Sequence, residues 1–182
     1  MNKVQLIFKG MTEIVGSEKL LLLVLTDIDK KRQIAIVSTH HFGYEIGLRI
    51  TQTPITERLL PEVLCRVNPE MTAQYYEILL DHVFDGQYNA LLVRKYDLST
   101  TSLRASDAIL LAHIAHLNVF MEEELFNRQS TPVIADEERM PLPLNTLSAE
   151  MLRNALKRAI AEENYELASL LRDEMNKREK KG

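Results

Sequence analysis

The sequence predicts an α+β domain, with a mixed or antiparallel sheet holding one buried helix, followed by a C-terminal α-helical hairpin. Three observations carry this reading. The stretch Leu103 to Asn118 is apolar on nearly every side after a polar start, the pattern of a helix covered by other elements. Apolar runs of strand length flank Asp85-Gly86, a dipeptide suited to a tight hairpin turn. From Val133 to Leu147 the pattern lapses, and beyond it apolar residues return at helical spacing.

Taken in order, Val4 to Phe8 and Leu20 to Thr26 read as strands, the second apolar on both faces and hence buried, with Gly16-Ser17 in the connection. Asp27 to Arg32 is a charged turn. Gln33 to Val37 is a third strand that runs out into Ser38-Thr39-His40-His41, a strand end where a loop can carry a functional histidine. Phe42 to Ile50 then forms a short helix, with Phe42, Ile46 and Ile50 four apart. Thr56 is a candidate N-cap, but Pro61 would interrupt a helix begun there. Asn68-Pro69-Glu70 is a helix-start signal that competes with the strand-like alternation of Tyr76, Ile78 and Leu80. The Asp85-Gly86 turn decides for a strand over Tyr75 to Val83, paired with Tyr88 to Arg94.

Leu98 to Leu103 leads into the central helix. There Ser106 is expected to be the N-cap, with Asp107 placing a carboxylate beside the positive end of the dipole, and the helix to run to about Leu117. Val119 to Met121 is a short strand and Glu122 to Asn127 a short helix. Asp136-Glu137-Glu138, Pro141 and Pro143 mark a semi-extended linker. Ser148 to Glu163 and Tyr165 to Lys180 are then two amphipathic helices joined at Asn164, which caps the second. Leu152, Leu156, Ala159 and Ile160 form one stripe, and Leu167, Ala168, Leu171 and Met175 the other. Lys177, Arg178, Lys180 and Lys181 favour the negative end of the last helix. The organisation is thus a domain over residues 1–132, a linker over 133–147 and a hairpin over 148–182.

Composition narrows the function. The chain has 182 residues, 46 % hydrophobic and 26 % charged, as expected of a soluble globular protein. Its longest apolar run, Leu20 to Leu25, is too short for a bilayer span or a secretion signal, so the chain is expected to be cytoplasmic, with no membrane partner. The single cysteine, Cys65, excludes an internal disulfide and a cysteine cluster for zinc, and is expected in the core. A net charge of −4 with no basic stripe excludes a protein that grips nucleic acid by bulk electrostatics; any such binding would be at a focused site. His113 and His116, three apart with no third ligand at convincing spacing, are expected to be core or surface residues.

Arg104-Ala105-Ser106-Asp107-Ala108-Ile109 resembles the Arg-Pro-Ser-Asp-Ala-Ile signature of the bifunctional nuclease (BFN) domain family. Phe42 and Glu45 match its Pro-Phe-Glu-Ala-Glu-Ala-Ile stretch, while His40, Gly43 and Gly47 depart from it. Pro54, Thr56, Leu59 and Leu60 keep the pattern of its Pro-Leu-Thr-His-Asp-Leu-Leu segment, but Glu57-Arg58 stands where that family has His-Asp. Phe84 to Ala90 resembles its Asp-Gly-x-Phe-x-Ala hairpin. The tail, from Ala159 to Glu174, resembles the UVR motif, a helical hairpin shared by UvrB and UvrC repair proteins and by some protease adaptors. Together the two resemblances cover nearly the whole chain outside the linker.

The resemblance implies a nuclease acting on DNA or RNA. Such work needs a nucleophilic water, stabilisation of the charge building on phosphorus, and usually carboxylates holding a divalent cation, here magnesium or manganese. Arg104 could grip a phosphate with a forked guanidinium, Ser106 lies among the N–H groups of the helix start, and Asp107 and Glu45 are the candidate metal or base carboxylates. A second reading of the same residues is structural, with Asp107 bracing the helix and Arg104 pairing with it. Two functions follow: a BFN-type nuclease, or a BFN scaffold without catalysis, tethered to a partner. The missing His-Asp pair and the acidic balance favour the second, the Arg-x-Ser-Asp-Ala stretch the first. In either case the hairpin is expected to associate with another copy, making a homo-oligomer, or with another UVR-bearing protein. It is too short to bury its own stripes fully, and the alternative of folding back on its own domain stays open.

Overall fold

The computed structural model describes residues 2–13, 20–133 and 144–179. The expected Gly16-Ser17 connection, most of the linker, and Lys180 and Lys181 lie outside the described residues. Among the described residues eight strands form one mixed sheet: β1 (Lys3–Glu13), β2 (Leu20–Asp27), β3 (Arg32–Thr39), β4 (Tyr76–Phe84), β5 (Gln87–Arg94), β6 (Thr100–Arg104), β7 (Asn118–Glu122) and β8 (Thr131–Pro132). Their order is β6-β5-β4-β7-β1-β2-β3-β8, and every pair is antiparallel except β4 and β7. The sheet curls enough for β3 to touch β5, although four strands lie between them.

Among the described residues six α-helices accompany the sheet: α1 (His40–Ile50), α2 (Leu60–Val67), α3 (Ala105–Ala115), α4 (Glu123–Gln129), α5 (Ala149–Ala161) and α6 (Tyr165–Glu179). As expected, α3 is the covered helix. Ala105, Ala108, Ile109, Leu110, Ala112 and Ala115 are buried, in contact with β3, β4, β5, β6 and β7. They share one core with Leu23, Leu25, Ile34, Ile46, Ile78, Leu80 and Met121. Cys65 packs against this core, half-buried. Among the described residues no helix is long and apolar enough to cross a membrane.

The ends of α3 differ from the expectation. Ser106 is not the N-cap; that position falls on Arg104 (φ −65°, ψ 142°), whose side chain makes no capping bond. The reason is β6, which runs into the helix without a loop, so that the backbone switches from strand to helix at Arg104. Asp107 remains in the first turn, where its charge favours the helix. The other end comes at His116, which takes a left-handed conformation (φ 53°) as Leu117 N–H donates to the Ala112 carbonyl. His113 thus lies in the last turn of α3 and His116 just beyond it, at the C-cap.

Thr56 is likewise no N-cap. It sits inside a 3₁₀ turn, Pro54–Arg58, with its hydroxyl donating to Thr53 O at 2.8 Å. That turn stops before Pro61, and Pro61 then sits in the first turn of α2, where its missing N–H costs nothing. In the tail, Ser148 Oγ accepts from Met151 N–H and Asn164 Oδ1 from Leu167 N–H, capping α5 and α6.

The hairpin has an apolar cluster of its own, built on Leu147, Leu152, Ala159, Ala168 and Leu171. Its base also docks on the sheet domain. A 3₁₀ turn, Leu144–Thr146, touches β3 and is gripped by Arg178, which donates to the carbonyls of Leu144, Asn145 and Leu147. Asp85 Oδ1 accepts from Ala149 N–H at 2.7 Å and lies 3.7 Å from Arg178 Nη1. Gly86 (φ 76°) lies so close that a Cβ there would be 2.6 Å from the carbonyl oxygens of Thr146 and Leu147. Ile160, Tyr165, Leu167 and Leu170 remain exposed.

Candidate active site

Where the curled sheet brings β3 towards β5, a cleft of about 480 Å³ opens. Six segments wall it: the start of β2, the end of β3, the first turns of α1, the β4–β5 turn with the start of β5, the start of α3, and the base of the hairpin. All four candidate residues, Glu45, Arg104, Ser106 and Asp107, line it, together with Ser38, His41, Asp85, Tyr88, Thr146 and Met151.

Arg104 ends edge strand β6 and is largely exposed. Its Nε and Nη2 donate to both carboxylate oxygens of Asp107, at 2.6 and 3.1 Å. This forked pair holds the guanidinium even more firmly protonated than usual and leaves Nη1 without a partner among the described residues. Ser106, half-buried in the first turn of α3, adds one of the backbone N–H groups that no helical carbonyl satisfies.

Glu45 is held from behind. Arg49, with its side chain only 4 % exposed, donates from Nη1 to Glu45 Oε2 at 2.8 Å and to the Glu45 carbonyl at 2.7 Å. The same guanidinium reaches α2, with Nη2 at 2.9 Å from Glu62 Oε2 and Nε at 2.7 Å from Glu62 Oε1, the latter a close ion pair without hydrogen-bond alignment. Burial opposes the charge on Arg49, but the bonds to Glu62 and Glu45 outweigh it and hold the guanidinium protonated above its ordinary range.

Each carboxylate of the cleft thus faces an arginine: Glu45 with Arg49, Asp107 with Arg104, and Asp85 with Arg178. Tyr88 is almost wholly buried at the wall, its hydroxyl without a hydrogen-bond partner among the described residues, and burial raises its ionisation above the ordinary phenol range. Glu57 and Arg58, which replace the expected His-Asp pair, are exposed and do not line the cleft.

A family model described as the bifunctional nuclease domain matches residues 23–134, 112 of the 182 residues, and the UvrB/UvrC motif matches residues 145–181. The chain belongs to the bifunctional nuclease domain family. No curated protein matches it. The BFN match begins within β2 and runs past β8, so it takes in α3, α1 and the β4–β5 turn, while β1 completes the same sheet from outside the matched range. The UVR match begins within the 3₁₀ turn and covers α5 and α6, and hence Thr146, Ser148 and Met151 of the cleft wall.

Reading the sequence missed that contribution of the UVR segment to a cleft in the BFN domain. It also missed Arg49, whose only signal is its position four residues after Glu45.

Proposed function

We propose that this BFN-family chain is a nuclease hydrolysing phosphodiester bonds in DNA or RNA, with the UVR hairpin serving association with another protein chain. The single observation that supports this best is the convergence of Glu45, Arg104, Ser106 and Asp107 on one cleft. A phosphate there would meet the free Nη1 of Arg104 and the unsatisfied N–H groups at the start of α3, both suited to charge growing on non-bridging oxygens. Each of the three cleft carboxylates faces an arginine, which offsets part of the repulsion an acidic chain exerts on a polyanion; Arg49 and Arg178 are shared with Glu62 and Glu174, and Arg104 serves Asp107 alone.

The donor set does not build a resident metal cage: among the described residues no group of three or more His, Cys, Asp or Glu side chains could hold an ion. Magnesium or manganese would have to be held largely by water and the substrate's own phosphate, as magnesium often is.

The test is cleavage of labelled single-stranded DNA and RNA by the purified full chain, with and without each cation. Asp107→Ala is expected to lower the rate by about 100-fold or more, with an unchanged circular dichroism spectrum. Equal rates in the variant and the natural chain would place the activity elsewhere. One observation favours a catalytically silent binding module instead, namely that Asp107 already gives both oxygens to Arg104. Tight binding of oligonucleotide with no cleavage under any cation would decide for that module.

The hairpin's role has its own measurement. Sedimentation of the full chain is expected to give a larger species than that of a chain ending at Leu147, because Ile160, Tyr165, Leu167 and Leu170 present an uncovered apolar edge. The same species for both, with no UVR-bearing protein retained by the full chain, would remove the association.

A further inference from the structure

We propose that His41 is the general base of the cleft, taking a proton from the water that attacks phosphorus; this deepens the nuclease reading and rests on it. The inference comes from elimination among the titratable side chains that line the cleft. Glu45 is bound by Arg49, and Asp107 by Arg104 through both oxygens. Asp85 is occupied by the Ala149 N–H and faces Arg178, and Tyr88 is buried with its ionisation raised. His41 is exposed to the cleft and has no hydrogen-bond or ion-pair partner among the described residues. It is also the one side chain in this set whose type exchanges protons near neutrality.

Its placement is ordered by the fold. Thr39 caps α1 by accepting from Phe42 N–H, which fixes the first turn in which His41 lies. Four residues later on the same helical face comes Glu45, so both line the cleft, whereas His40, about 100° round the helix, does not. The charged groups facing His41 are Glu45 on its own helix, Asp85 from the β4–β5 turn, and Arg104 and Asp107 from the start of α3.

The step balances without a further reagent. The water oxygen bonds to phosphorus as its proton passes to the imidazole, and the bond from phosphorus to the leaving sugar oxygen breaks. The proton on the imidazole then returns through solvent to that oxygen. Arg104 faces the non-bridging oxygens while His41 handles the proton, so the two roles fall on different segments of the wall.

The experiment measures cleavage of labelled single-stranded DNA and RNA by the full chain across pH 5 to 9, roughly the range that brackets histidine titration. His41→Gln is expected to lose about 100-fold in kcat with KM within about threefold, and to lose the rise in kcat with pH on the acid side of neutrality. His40→Gln is expected to keep the natural kcat and its pH profile. In His41→Ala, imidazole added to the buffer is expected to restore part of the rate, which an effect on folding alone would not allow. A His41→Gln chain with natural kcat, or one retaining the acid-side rise, overturns this assignment and leaves the nuclease reading standing. A natural chain that cleaves neither DNA nor RNA overturns both.

Discussion

Replacing Arg49 with alanine is expected to destabilise the fold by about 3–5 kcal/mol, because the loss leaves two carboxylates facing each other without their shared cation. The side chain of Arg49 is almost entirely covered and ties α1 to α2 through Glu45 and Glu62, both at hydrogen-bond distance. Urea denaturation monitored by circular dichroism would show the midpoint falling with little change in slope. Arg49→Leu combined with Glu45→Gln and Glu62→Leu should recover most of the loss, since a buried ion pair contributes little net stability over apolar groups of similar size. A cost under about 1 kcal/mol for Arg49→Ala would mean that water reaches the pair.

The second large effect is expected at Gly86, and it separates the two parts of the chain. Gly86→Ala places a Cβ within 2.6 Å of two backbone carbonyl oxygens of the tail, at a residue with φ of 76°. The left-handed backbone costs about 1–2 kcal/mol by itself, and the clash is with backbone, which cannot turn aside as a side chain can. The hairpin base should therefore leave its seat, while the sheet domain keeps its fold, because the residues of the main core come from other segments. Hydrogen exchange by mass spectrometry would detect this as loss of protection, by about tenfold or more, at Ala149 and Leu152, whose amides bond to Asp85 and Ser148. Unchanged protection at those two amides would show that the turn tolerates the side chain.

The residues differ in how far they could be read beforehand. α3 was legible because burial on most sides leaves a mark in composition, and the β4–β5 hairpin because Asp85-Gly86 supplies two consecutive positive φ angles that few dipeptides allow. β6 was not, since Thr100, Thr101 and Ser102 on an exposed sheet edge carry no apolar alternation to detect. α2 was hidden by Pro61, which ends one helical turn and opens the next, and by having no fully buried residue. The membership of Glu45, Arg104, Ser106 and Asp107 in a common cleft follows from the curl of the sheet, a property of strand order that no local pattern encodes. Arg49 was opaque for a related reason: a charge on a short helix reads as solvated until the element packed above it is known.

The seating of Thr146, Ser148 and Met151 in the cleft wall makes the two modules thermodynamically reciprocal. A partner that grips the hairpin and moves its base alters the affinity of the cleft for its ligand by some factor. By the symmetry of linked equilibria, filling the cleft must alter the grip of that partner by the same factor. A tail exchanged for that of another protein would bring a different wall with it, so under the proposed association filling the cleft would change the grip on the neighbouring chain.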